Sequence, residues 1–199
     1  MGDYPLRFEA EYPESPSRWL ALLGALFWLK GLLLLPHILC LFVLGILSLI
    51  AFYAAYVVVL VTGRYPMGLF TFTVGVQRWS SRTDSWLNGL TDQYPPFSLG
   101  TDEYQVRLGV DHPDVSSRPL ALLGVLFIKF LLLLPHTIIL SLLGMVAFAV
   151  VYIGYWAVLI TGRYPRGLFD LVVGVQRWNY RANAWLIGWA DRYPPFSLT

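Results

Sequence analysis

The chain has 199 residues, of which 57% are hydrophobic and only 13% charged, and its formal net charge is +2. A soluble domain carries about 25% charged residues, so this composition reads as an integral membrane protein, and a charge of +2 is too small to suggest a nucleic-acid partner. The single Cys40 lies in an apolar run, which excludes a disulfide framework and a cysteine-based zinc site.

The N-terminal stretch Met-Gly-Asp-Tyr-Pro-Leu-Arg lacks the apolar core of a signal peptide. Gly2 is only a weak echo of an acylation site, because position 6 is Leu rather than Ser or Thr. From Tyr4 onward the chain states one sequence twice. Tyr4–Leu99 is matched by Tyr104–Leu198, at an offset of 100 up to Gly24/Gly124 and of 99 after a one-residue shift near Trp28. Such self-similarity marks one structural unit used twice. The repeats are residues 1–99 and 100–199, and they read as related by an axis along the membrane normal.

Each repeat begins with a polar stretch in which apolar and charged residues nearly alternate, Arg7–Pro13 and Arg107–Pro113. That pattern predicts a short strand. A lone strand is unstable, so the two are expected to pair across the repeats into a small cytoplasmic sheet. Ser15 or Ser17, and Ser116 or Ser117, are placed to cap the helix that follows.

Next comes a long apolar block, Trp19–Val61 and Leu120–Ile160. A spanning helix needs about 20 residues, so each block is long enough for two. Pro36-His37 and Pro135-His136 divide the blocks, because proline lacks an amide donor and disfavours helix in the residue before it. The expectation is a transmembrane hairpin at about 18–62 and another at about 118–161, each turning tightly at Pro-His. A single kinked helix of about 43 residues would run over about 60 Å, twice the hydrocarbon thickness. All arginines and carboxylates lie outside the blocks. Hairpins therefore place them on one side, which the positive-inside rule makes cytoplasmic, together with both termini.

After each block, Gly-Arg-Tyr-Pro makes a turn and a helical pattern follows, at about 67–91 and 166–190. Trp79, Trp86, Trp178 and Trp185 recur at helical spacing, and the arginines fall mostly on the other face. This pattern fits an amphipathic helix lying in the headgroup layer or one packed on the hairpins. Tyr-Pro-Pro-Phe-Ser-Leu closes each unit as an extended aromatic segment.

The motifs Thr-Gly-Arg-Tyr-Pro-x-Gly-Leu-Phe, Val-Gly-Val-Gln-Arg-Trp and Asp-x-Tyr-Pro-Pro-Phe-Ser-Leu, in this order and twice over, resemble the bacterial membrane family named domain of unknown function 4389. The resemblance covers both repeats. It implies a small multi-pass protein of the bacterial inner membrane, built from one unit or two, and it transfers no catalytic residues.

Within the blocks the ionisable side chains are Lys30, His37, Lys129 and His136. A charge in a spanning segment points to function by default. Three readings are open for the lysines. They snorkel to lipid phosphates, they form one paired cationic site for an anionic headgroup or quinone-like ligand, or they meet a carboxylate of a partner subunit. His37 and His136 read as turn or interfacial residues, or as metal or quinone contacts. Arg78 with Arg82, and Arg177 with Arg181, are i,i+4 pairs that present two cations on one face, suited to anionic lipid phosphates. Asp92 and Asp191 are expected in structural ion pairs with Arg64 and Arg163, or with Arg82 and Arg181.

No P-loop, Gly-x-Ser-x-Gly, His-Glu-x-x-His or Cys-x-x-Cys motif occurs. The sequence thus reads as an all-α integral membrane protein without catalytic residues or cofactor. The leading expectation is a scaffold or accessory subunit that docks on other membrane protein subunits. The alternative is a protein that binds lipid or a small anionic ligand.

Overall fold

A computed structural model describes residues 4–26 and 28–199. The N-terminal Met-Gly-Asp, including Gly2, lies outside the described residues, as does Phe27 beside the register shift. The first repeat is β1 (Leu6–Ala10), α1 (Arg18–Ala25), α2 (Trp28–Leu33), α3 (Leu35–Thr62) and α4 (Met67–Leu87). The second repeats the order with β2 (Val106–Val110), α5 (Arg118–Val125), α6 (Ile128–Leu132), α7 (Leu134–Thr161) and α8 (Arg166–Ile187).

The two strands pair antiparallel across the repeats, with Phe8 opposite Leu108 at the centre. Phe8 and Leu108 point inward and are fully buried, whereas Arg7 and Arg107 point out. The alternation of the sequence is thus the alternation of the pleat. The caps also follow the sequence. Ser17 Oγ accepts from Leu20 N and Ser117 Oγ from Leu120 N, each at 3.4 Å. Ser17→Ala is expected to cost about 1 kcal/mol, read as a lowered thermal midpoint in mild detergent; an unchanged midpoint would deny the cap a role.

The apolar blocks divide differently from the expected hairpins. Pro36-His37 is not a turn between two spanning helices; it lies in the first turn of α3, and Pro135-His136 lies likewise in α7. Proline is accepted there because the first amides of a helix have no intrahelical partner. The breaks come earlier, at Leu26 and Leu34 in the first repeat, so the described stretch before Pro36 holds two short helices rather than one span. In the second repeat Phe127 makes the break by adopting φ 59°. The described residues therefore hold two helices long and apolar enough to cross a membrane, α3 and α7, one per repeat instead of two. Each has 28 residues, about 42 Å of helix. Gly63 and Gly162 end them in the left-handed conformation, which glycine adopts without steric cost.

The repeats interlock. α1 packs on α7, and α5 packs on α3. α4 and α8 sit between these helices and the sheet, α4 against β2 and α8 against β1. Their tryptophans face inward: Trp79, Trp86, Trp178 and Trp185 are all buried. These helices are packed on the rest of the fold through their tryptophan faces. Around the N-terminal half of α3 the exposed residues are apolar on nearly every side, including Ile38, Leu39, Phe42, Val43 and Ile46.

Candidate functional site: two lysine pockets between the repeats

Lys30 is carried by α2 and Lys129 by α6, and each is only 1% exposed. Neither snorkels. Lys30 Nζ donates to the Trp86 carbonyl at 2.6 Å and to Tyr155 Oη at 3.0 Å. Lys129 Nζ donates to the Trp185 carbonyl at 2.6 Å and to Tyr56 Oη at 3.3 Å. The acceptors explain why a lysine is tolerated here. Trp86 and Trp185 lie in the last turns of α4 and α8, where carbonyls have no intrahelical donor and the helix dipole is negative. Each ammonium also sits over two rings, at 4.6 Å from Trp86 and 4.9 Å from Tyr155 for Lys30, and at 4.7 Å from Trp185 and 5.2 Å from Tyr56 for Lys129.

Each tyrosine crosses from the other repeat. Tyr155 Oη donates to the Leu87 carbonyl and Tyr56 Oη to the Leu186 carbonyl. The hydrogen bonds therefore run in one direction, from lysine to tyrosine to helix end. Glycines make room for the rings. A Cβ at Gly24 would lie 2.3 Å from the Tyr155 ring, and one at Gly89 would lie 2.8 Å from it. Gly124 and Gly188 flank Tyr56 at 2.4 and 2.8 Å. Lys30 and Lys129 share no partner, so the single paired cationic site is not formed. There are two sites instead, each a lysine of one repeat closing a helix of that repeat around a tyrosine of the other.

The histidines are also internal. His37 and His136 are fully buried, not exposed at a turn. Each Nδ1 accepts from an indole at 2.9 Å, His37 from Trp79 and His136 from Trp178. This fixes the hydrogen on Nε2. Phe97 and Phe196 stack on the two rings with centroids 3.8 Å apart. The extended Tyr-Pro-Pro-Phe segments thus serve as covers for the histidines. Among the described residues no cluster of three or more His, Cys, Asp or Glu forms a metal site.

The arginine pairs are spent on backbone carbonyls and do not present two free cations to lipid. Arg78 donates to Leu108 and Leu99, and Arg177 donates to Phe8 and Leu198, so each clips its closing segment to the sheet. Arg82 is 2% exposed and holds the Gly100 carbonyl at 3.0 Å and Asp102 at 3.2 Å. Arg181 holds the Thr199 carbonyl. The expected pairs of Asp92 with Arg64 or Arg82, and of Asp191 with Arg163 or Arg181, are likewise replaced. Asp92 accepts from the Ser17 amide at 2.6 Å and Asp191 from the Ser117 amide at 2.8 Å. A carboxylate at a helix start is favourable by the same dipole argument. Among the described residues the ion pairs are Arg7–Asp111, Arg82–Asp102 and Arg107–Glu11.

Sequence reading missed two features. Tyr56 and Tyr155 are not singled out by composition or periodicity, although their recurrence at an offset of 99, along with Gly89/Gly188, is visible in the sequence. Asp84 was overlooked altogether. It is half-buried where α4 crosses α8, and Tyr180 Oη donates to it at 3.3 Å. Burial pushes its carboxyl up to about 6, while hydrogen bonds from Tyr180 and Ser80 act in the opposite direction.

The architecture defines a class: a duplicated, mostly helical unit whose halves exchange short helices and lock through buried Lys–Tyr contacts. The chain belongs to the family described as Domain of unknown function (DUF4389), whose pattern matches it twice, over residues 25–98 and 125–197. Comparison with curated proteins gives no match, and comparison with solved structures gives none either.

Proposed function

We propose that this protein is a membrane-embedded, non-catalytic scaffold that serves as an accessory subunit of a larger membrane assembly. The observation that carries the reading is the separation of surfaces. α3 and α7 expose apolar side chains along most of their length, while the exposed arginines and carboxylates gather at the sheet and at the C-terminal ends of these helices. A contiguous apolar surface of this kind calls for lipid or a partner. Arg118 Nη2 donates to the Val61 carbonyl, and the Ser116 amide to the Gly63 carbonyl. The start of one apolar block therefore meets the end of the other in a single charged layer. We place both termini in the cytoplasm of a bacterium, with insertion from one aqueous side; that arrangement and the positive-inside rule support the orientation.

The cations favour a scaffold over the anionic-ligand alternative, because the buried Lys30 and Lys129 and the half-buried Arg78 and Arg177 all act on carbonyls of the chain itself. Two measurements test the proposal. Cys40 is exposed on α3, so in native membrane vesicles it should resist a membrane-impermeant maleimide and react once detergent strips the bilayer. Ready labelling in intact vesicles would remove the membrane reading. For the scaffold role, deletion of the protein should make a defined complex disappear or shrink on a native gel of solubilised membranes. A chain that migrates alone, with every other membrane complex unchanged on deletion, would refute it.

A further inference from the structure

The strand β2 is tied to both ends of α3. At the C-terminal end, His112, just past β2, donates from Nε2 to the Tyr65 carbonyl at 3.0 Å, in the turn that follows α3. At the N-terminal end, Phe97 stacks on His37. The nearby Leu99 carbonyl accepts from Arg78, which also holds the Leu108 carbonyl of β2. The second repeat does the same with β1: Tyr12 donates to the Tyr164 carbonyl, Phe196 stacks on His136, and Arg177 holds Leu198 and Phe8. Long helix and strand therefore lie side by side, with α4 or α8 between them. On α4, Gly75, Arg78 and Arg82 meet the closing segment and the sheet, whereas Thr73, Val76 and Ser80 line the groove against α3. At about 100° per residue these two sets fall on opposite faces. The layers are the sheet, then α4 with α8, then α3 with α7.

The two long helices are antiparallel. Thr73 meets Trp189, Asp84 meets Tyr180 and Ser85 meets Gln176, so α8 descends as α4 ascends. α3 runs back along α4, with His37 against Trp79 and Phe52 beside Thr73, and α7 runs back along α8, with His136 against Trp178. The equivalent residues Phe8 and Leu108 pair with each other, so the pseudo-two-fold axis passes through the sheet and stands across the long helices. If these helices crossed a bilayer, that axis would lie in the membrane plane. The sheet would then sit at mid-depth, with Arg7, Glu9 and Arg107 of its outer face in hydrocarbon, a costly place for ionised groups.

We infer that the protein is monotopic: α3 and α7 lie flat in one leaflet of a phospholipid bilayer, the sheet faces water, and the axis stands along the membrane normal. This rests on the membrane reading above. Neither long helix carries a charged side chain. Leu39, Ile46, Ile50, Val57 and Val61 are all exposed and share one stripe of α3, opposite the buried His37, Ala51 and Val59. That stripe points away from α4 and so away from the sheet. A layer of helices about 10 Å deep fits within half of the roughly 30 Å of hydrocarbon. Lying flat gives the apolar stripe to lipid and every sheet charge to water.

The test uses the full chain with Cys40→Ala as background. Gly68→Cys and Gly167→Cys, at equivalent positions in the first turns of α4 and α8, add a Cβ that meets no atom within 4 Å, as does Gly109→Cys on β2. In sealed vesicles, inside-out or right-side-out, a membrane-impermeant maleimide should label all three in one preparation and none in the other. Depth gives the second measurement. Leu39→Cys, Ile50→Cys and Val61→Cys cover about 33 Å of α3. Each carries a bimane label in vesicles of phosphatidylcholine brominated at one of several acyl positions. The same bromine position should quench all three best, with no shift along the helix. Labelling of Gly68→Cys and Gly167→Cys from opposite sides overturns the flat placement and leaves the membrane reading intact. So does an Ile50 label that lies deep while those at Leu39 and Val61 lie shallow. Labels that no brominated lipid quenches overturn both.

Discussion

Lys30→Ala should destabilise the protein by about 4 kcal/mol, and Lys129→Ala by a similar amount. The substitution removes a stem that is almost completely enclosed and leaves a cavity between α2, α4 and α7. It also takes the donor from the Trp86 carbonyl and from Tyr155 Oη, both of which it serves at hydrogen-bond distance. Lys30→Met keeps most of the volume and loses only the donor, so about 2 kcal/mol is expected. Denaturant titration in mild detergent, followed by tryptophan fluorescence, gives the comparison. The interlocked arrangement adds a second requirement. Tyr155 belongs to the other repeat, so Lys30→Ala and Tyr155→Phe should fall short of additivity by about 1 kcal/mol or more. A lysine that merely anchored the surface to lipid phosphates would behave otherwise: its truncation would stay within about 0.5 kcal/mol. A midpoint unmoved by Lys30→Ala would therefore deny the buried role.

What could be read from the sequence follows physical scale. The duplication is legible as recurrence at a fixed offset, the strands and serine caps because they depend on a period of two or on residues near in sequence, and the cross-repeat pairing because a lone strand needs a partner. The division of the apolar blocks is not. Pro36 in an apolar run signals a stop, but proline serves equally well in the first turn of a helix, and nothing in an unbroken apolar run distinguishes the two. The break in the second repeat falls at Phe127, a bulky residue with positive φ. No compositional rule flags such a residue, because only its tertiary setting holds it there. The lysine pockets were half legible. A buried cation announces a partner, and a carboxylate or an anionic ligand is the partner that charge alone suggests. The partners are helix-end carbonyls 56 residues away and a tyrosine of the other repeat, 125 residues from Lys30 and 73 from Lys129. The clue available was internal: Gly24 with Gly124, Gly89 with Gly188 and Tyr56 with Tyr155 recur together, as small residues around a ring would. The arginine pairs misled for a related reason. Spacing puts Arg78 and Arg82 on one face of a helix, but it does not say that the closing segment and the strand will lie across that face.

Asp84→Asn should stabilise the protein at neutral pH by about 2 kcal/mol. The carboxyl titrates at about 6 in the folded chain against an ordinary value of 3.8. Between those values the folded protein holds a proton that the unfolded chain has released. Stability contributed by this group is therefore fully present below about pH 4 and falls as pH rises to about 6, with a constant penalty above. Two units correspond to about 3 kcal/mol, and the group is half-buried, which reduces the figure to about 2. Tyr180 gives no relief at high pH, because burial and the adjacent carboxylate hold its phenol well above the ordinary range. Asparagine keeps an acceptor for the Tyr180 hydroxyl and carries no charge into the crossing of α4 and α8. The second repeat already has Asn183 at the equivalent position, so the backbone geometry accepts it. Unfolding measured from pH 4 to pH 8 should show wild type losing stability across the window, the variant remaining nearly flat, and the two curves meeting at the acid end. Parallel curves, or a variant weaker than wild type at pH 8, would mean that Asp84 stays charged and satisfied at the crossing, and that the asymmetry between the repeats at this position lies elsewhere.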